Sequence, residues 1–364
     1  MLDDEQEIEL TRDFFREHGL LPDFPPEFEA DRAGEERLLS EVLGRRQGHA
    51  QSRSGGATWR RTGLIAATIA VLAVFGASTD FIRPTPAAAA GAPAMLRYTL
   101  LSEVDASTVA SAPSANDPLI YAAQSVPVDA AQGIGGVQYV SSYGWLSDMR
   151  VDAQANTAVI YPTFTQWWLS GSGAVRLDER REPPLALDGR LTASVSEADA
   201  MSNTSETNPS GTVPPDVAKE LPTDVEPLRA ALIASQVGLP CTQSSWWRAE
   251  CLVVAIQAIY QQYVVPPQLA AAMWRVLADE PELRYLGETT DRLGRAATAI
   301  ALPPAPGQPV EQTTVLLIST ETGSYLGSET ITHLDFNTGI THSTVTGFVE
   351  LLTSRRVLTS GDTS

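Results

Sequence analysis

Apolar and polar positions along this chain change period several times, and each change marks a boundary. Near the N-terminus, Leu10, Phe14 and Phe15 mark one apolar helical face that ends near His18-Gly19, and Leu38, Leu39, Val42 and Leu43 mark a second. Pro22, Pro25 and Pro26 separate the two. Two short helices with one oily face each bury little by themselves, so residues 1–58 read as an acidic tail that is either partly disordered or a docking element for a partner. The stretch Thr62 to Thr79, TGLIAATIAVLAVFGAST, then carries no charge at all. At about 1.5 Å per residue a helix here covers roughly 27 Å, close to a hydrocarbon core of about 30 Å. It predicts one transmembrane helix over 62–79, followed by a Pro/Ala linker, RPTPAAAAGAPA, within 80–95.

Beyond the linker the pattern is that of one folded domain over 96–358. MLRYTLLSEV reads as a strand and ANDPLIYAAQSV as a short helix. GVQYVSSYGWLSDMRV, TAVIYPTFTQWWLS and GAVRLDERRE read as an antiparallel meander, rich in β-branched and aromatic residues and broken at Ala153 to Asn156 and at Gly171-Ser172-Gly173. From about residue 183 to 222, Pro, Ser, Thr, Asn and acids replace the apolar period, which predicts a flexible excursion. Helical spacing returns at Thr223, with Leu228, Ala231 and Leu232 inward. A further face carries Leu252, Ile256, Ile259, Tyr260 and Tyr263, and another, after Pro266-Pro267, carries Leu269, Met273, Val276 and Leu277. The remainder is strand, turning at Asp291 to Gly294, Glu321 to Gly323 and Asn337 to Gly339. The expected class is α+β, a curved antiparallel sheet packed on a block of helices.

Charge sets the orientation. Arg45, Arg46, Arg53, Arg60 and Arg61 precede the uncharged run with no acid among them, so the N-terminus is expected in the cytoplasm and the C-terminal domain outside the cell membrane. A cleaved leader, with Arg60-Arg61 as its basic region and Ala87 to Ala90 as its small-residue site, would begin abnormally far into the chain. The net charge of −19 argues against nucleic acid as a partner. Cys241 and Cys251 fall in the exterior domain, where a disulfide is the default. Two separate buried thiols are the alternative, and neither a CxxC pair nor nearby histidines support redox or metal work.

Candidate chemistry is sparse, and no catalytic residue or cofactor is assigned. Gly171-Ser172-Gly173 lacks a nucleophile elbow, and a serine triad would need His333 or His342. Gly133-Ile134-Gly135-Gly136 has no third glycine in dinucleotide register. A hairpin turning at Asn337-Thr338 would set His333 and His342 opposite each other, with Asp335 near enough to share a metal; two exposed strand histidines are the plainer reading. Trp167-Trp168 and Trp246-Trp247 are candidates for lining a ligand groove, although adjacent strand residues point to opposite faces and one of Trp167 and Trp168 should pack in the core.

The segments LPTDVEPLRAAL, VVPPQLAAAMWRVLADEPELRYLGETTDRLGRAATAIAL, ETGSYLG and QWWLSGSGAVR, with IELTRDFFREHGLLPDF and EERLLSEVLGRR before the uncharged run, resemble a family of actinobacterial single-pass membrane proteins encoded beside extracytoplasmic-function sigma factors. More distantly, the succession of hairpins with a TG turn is similar to the open half-barrel of lipoprotein carriers and of periplasmic sigma-factor regulators. The resemblance implies a half-barrel with a cleft and an anti-sigma-like regulator, and supplies no catalytic residue. Leu10, Phe14, Phe15, Leu39 and Leu43 of the tail would then hold a sigma factor or another cytoplasmic protein, without the zinc motif of some anti-sigma domains. The alternative is a membrane-tethered carrier of lipid or cell-wall material.

Overall fold

The computed structural model describes residues 93–128, 132–151, 156–183, 185–186, 203–336 and 338–363. The tail residues Leu10, Phe14, Phe15, Leu39 and Leu43, the run 62–79 and most of the linker lie outside them. Among the described residues no helix is long and apolar enough to cross a membrane.

Two helices open the described chain, α1 (Ala106–Ser111) and α2 (Asn116–Ser125). A meander follows: β1 (Val137–Val151), β2 (Asn156–Leu169), β3 (Val175–Arg181), the two-residue β4 (Leu185–Ala186) and β5 (Asn203–Asn208). Helices α3 (Val217–Glu220), α4 (Val225–Ala234), α5 (Ser245–Gln262) and α6 (Pro267–Ala278) form the middle block. A second meander ends the fold: β6 (Arg284–Thr290), β7 (Ala296–Leu302), β8 (Val310–Ser319), β9 (Tyr325–Asp335) and β10 (Thr344–Val357). The strands form one antiparallel sheet in the order β5-β3-β2-β1-β10-β9-β8-β7-β6, with β4 beside β2. The first meander therefore grows outward to the β5 edge, the helices carry the chain to the opposite edge, and the second grows inward until β10 closes against β1.

Both faces of the sheet are covered, which explains why β7 and β8 read as unbroken apolar runs instead of alternating ones. On β8, Leu316 and Ile318 join the core beneath the helices, while Val315 and Leu317 join a second core on the other face. On β7, Ile300 and Leu302 face the helices and Ala297, Ala299 and Ala301 face away. The sheet also curls. Three strand spacings of about 4.8 Å separate β7 from β10 in a flat sheet, yet Arg295 beside β7 donates through Nη2 to the Leu326 carbonyl (3.0 Å) on β9 and through Nη1 to the Leu351 carbonyl (2.8 Å) on β10.

Helix α6 lies in the middle of the helix block and is apolar over most of its circumference, with Gln268 and Arg275 along its one exposed line. Leu269, Met273, Trp274, Val276 and Leu277 are buried, and the alanines between them admit close neighbours. Its Trp274 Nε1 donates to the Gly323 carbonyl (2.7 Å) in the β8–β9 turn, and Trp274, Tyr260 and Tyr325 stack from helix to sheet. Gly323 has φ of 59°, and a Cβ there would collide with the Ala122 carbonyl of α2. One tight turn thus fixes α2 and α6 against the sheet. Asn116 Nδ2, at the start of α2, donates to the Ala278 carbonyl (2.8 Å) at the end of α6, satisfying one orphan acceptor.

The cysteines form a disulfide. Cys241 and Cys251 are joined at 2.03 Å, with Cys251 fully buried in α5, so the α4–α5 loop is tied to the helix it precedes. Two expectations change. Residues 95–104 form no strand, because only the Thr99 and Leu100 amides bond to a strand edge while Tyr98 turns onto the sheet. Within the stretch 183–222, residues 203–208 form the edge strand β5, whose backbone pairs with β3; edge pairing needs no apolar period.

Replacing both cysteines by alanine removes a crosslink that closes a loop of about ten residues, and is expected to cost about 2–3 kcal/mol. Urea titration of the oxidised protein and the double variant measures this as a lowered midpoint at similar slope.

Candidate functional site

The sheet face away from the helices is covered by residues 93–105, an irregular strap that leads into α1. Its Tyr98, with the half-buried Met95, Leu96, Leu101 and Val104, packs on a core of Trp145, Ile160, Val315, Leu317, Ile331 and Phe348. The strap is bonded to the outer edge of β6. Thr99 N–H donates to the Glu288 carbonyl (3.0 Å), Leu100 N–H to the Leu286 carbonyl (3.1 Å), and Glu288 N–H donates back to Thr99 Oγ1 (2.8 Å). Gly287 permits this approach: its φ is 99°, and a Cβ would strike Thr99 Oγ1. An open cavity of about 530 Å³ lies along the strap, lined by Met95 to Tyr98, Leu101 to Val104 and Ser343.

Beneath the strap lies a buried charge cluster. The β6–β7 turn is set by Asp291, whose Oδ1 accepts the amides of Leu293 (3.0 Å) and Arg295 (2.7 Å), and this turns two arginines over the sheet. Arg292 pairs with Glu329 of β9, lies 4.6 Å above the Phe348 ring and donates to the strap's Ala94 carbonyl (3.2 Å). Tyr98 O–H donates to the other oxygen of Glu329 (2.9 Å). Arg295 pairs with Asp291 (2.5 Å) and with Glu350 of β10 (2.9 Å), which also accepts the Arg292 amide (3.2 Å).

Three carboxyl groups share two guanidiniums here. Burial, reinforced by the nearby Asp291 carboxylate, pushes Glu350 up to about 8, so at neutral pH it holds its proton and the cluster avoids a third buried negative charge. Burial also raises Glu329, against the pull of Arg292 and Tyr98, and raises Tyr98 well above its ordinary value, aided by the Glu329 charge. Tyr98 therefore acts as a hydrogen-bond donor throughout the physiological range. The arrangement can hold an extended backbone at a sheet edge and an aromatic hydroxyl on a carboxylate.

The residues singled out from the sequence lie elsewhere or are rearranged. Asp335 and Ile340 exchange both backbone bonds, whereas Thr332 pairs with Thr344, so one extra residue enters the β10 side and the histidine register slips. Ser343 instead of His342 meets His333: Nδ1 lies 2.8 Å from Ser343 Oγ and Nε2 lies 2.8 Å from Thr313 Oγ1. His333 is buried, not exposed, and burial lowers its pKa, while His342 faces solvent. Among the described residues no cluster of metal-ligating side chains occurs.

The tryptophans do not line one groove. Trp168 is buried on the face away from the helices, stacked on Tyr139 (5.1 Å), beneath Arg176 and bonded through Nε1 to the Asp362 carbonyl (2.8 Å) of the C-terminal tail. Its neighbour Trp167 points to the helix-side core, as strand alternation requires. Trp246 packs against that same core, donates to the Pro303 carbonyl (2.8 Å) and meets Trp247 edge-on at 5.0 Å. Tyr98, Arg292, Arg295, Glu329 and Glu350 were not singled out in the sequence. Their one signal was the presence of Glu329 and Glu350 inside runs otherwise apolar or β-branched.

Tyr98→Phe leaves the buried Glu329 oxygen without its donor, and is expected to lower stability by about 1–3 kcal/mol, read by urea titration. Glu350 binds its proton more tightly in the folded chain than at its ordinary value of 4.5, so the folded state carries the extra proton between about 4.5 and about 8. Its contribution to stability is complete below that window, falls as pH rises through it and is level above. Urea titrations from pH 5 to 9 should show Glu350→Gln lacking this part of the decline. No protein-family model matches the chain, and no curated protein matches it.

Proposed function

We propose that this chain is a membrane-anchored extracytoplasmic sensor that regulates a cytoplasmic protein, with a sigma factor as the expected partner of the inner tail. One observation carries the reading. The segment that covers the sheet's second face is also the segment nearest the uncharged run, since Pro93 follows Thr79 by 14 residues, at most about 48 Å of extended chain. An event that lifts the strap off the sheet therefore changes the length and direction of the chain leading to the 62–79 helix. A coupling of this kind needs no second domain.

In this reading residues 1–58 lie in the cytoplasm, 62–79 span the cell membrane and the α+β body stands outside. The tail binds through Leu10, Phe14, Phe15, Leu39 and Leu43. The reach of Arg295 across β8 supports a half-barrel whose inner face holds the signal. The 530 Å³ cavity along the strap favours a second reading, a tethered carrier whose lipid or cell-wall cargo sits against the strap.

Affinity purification of the full chain from its native membrane distinguishes the two. The sensor should retain a sigma factor, and Phe14→Ser with Phe15→Ser should abolish retention while leaving the exterior body folded. Retention of a lipid by the body, with no cytoplasmic protein on the tail, would favour the carrier and sink the sensor.

A further inference from the structure

The strap has the form of a ligand bound in place. It makes two backbone bonds to an exposed strand edge, places one aromatic hydroxyl on a fully buried carboxylate, offers one carbonyl to Arg292 and lays small apolar contacts along a sheet. These are the contacts by which an extended peptide adds to a sheet edge: main-chain bonds supply affinity and side-chain pockets supply selection. Two features shape the edge for this approach. Gly287 lacks the Cβ that would exclude Thr99, and the Glu288 amide meets the Thr99 hydroxyl where a regular ladder would present a carbonyl.

The strap is open on its own side: the 530 Å³ cavity is lined by its residues and Ser343, and Leu100 is half exposed at the β6 edge.

We propose that the β6 edge and the Glu329–Arg292 pocket form a binding site for an extended polypeptide segment carrying a tyrosine followed by a hydroxyl residue, and that residues 93–104 occupy it in cis. The recognised partner is unfolded or terminal chain, presenting apolar residues two and three positions before the tyrosine and three after it, as Leu96, Met95 and Leu101 do. The inference rests on the sensor reading and names its class of signal: a competing segment takes the strap's place and frees it.

The test uses the full chain in detergent and a fluorescent peptide of sequence PAMLRYTLLSEV, identical to residues 93–104. Tyr98→Ala weakens the cis occupant, so this variant should bind the peptide at least about tenfold more tightly than the wild type. The peptide with phenylalanine for tyrosine should lose most of that gain, because the second oxygen of Glu329 then lacks its donor. In the wild type, amide exchange at Thr99 and Leu100 should quicken as peptide is added. Absence of binding to a folded Tyr98→Ala chain overturns the proposal. So does wild-type exchange at Thr99 and Leu100 that is unmoved at every peptide concentration, which holds even if the variant fails to fold. Peptide exchange that occurs without any change at the inner tail would sink the sensor reading and leave this site standing.

Discussion

Covering both faces of a ten-strand sheet is the constraint from which the rest of this structure follows. One face is closed by a helix block whose central member, α6, is buried over most of its circumference, so that side is an ordinary core. Among the described residues the other has no helix layer of comparable size. It is closed by a strap without regular structure, by the short α1 and, farther along, by the C-terminal tail over Trp168. Irregular backbone over a core must find partners for its own polar groups. The strap finds them at the β6 edge and in the Arg292–Glu329 cluster.

That cluster joins elements far apart in sequence: Tyr98, the β6–β7 turn, β9 and β10. Its charges are buried, and buried ion pairs stabilise weakly while being costly to break. They serve better to fix one arrangement, here the register of the strap on the curled sheet. Glu350 shows how narrow the electrostatic balance is, since its proton keeps the pocket from carrying an excess negative charge.

Most of the architecture could be read from the chain. The meander of β1 to β3, helix α2, the three helices after Thr223 and the turns at Asp291 and Gly323 stand where periodicity and turn residues put them. The disulfide follows from the same reading. What escaped was set by tertiary pairing. Residues 95–104 alternate like a strand but have only a short bulged edge to join, and 203–208 lack apolar residues yet complete a ladder through backbone alone. The histidine pair failed by one residue, a slip that no local pattern reports, because β-bulges are set by the neighbouring strands. The charged pocket was illegible for a related reason. Glu329 and Arg292 become partners only when a hairpin turn curls over a strand that is not its neighbour.

The junction between β1 and β10 has a bearing on how the molecule is made. These adjacent strands lie at opposite ends of the domain's sequence, with every other strand between them. Until β10 emerges from synthesis, β1 presents an unpaired, largely apolar rim, and so does the inner rim of the later meander. Such a high contact order makes folding slow and leaves two adhesive borders waiting for each other. Newly made copies crowded together would find the wrong partner first, so the final fourteen-residue strand is where chaperone protection would matter most.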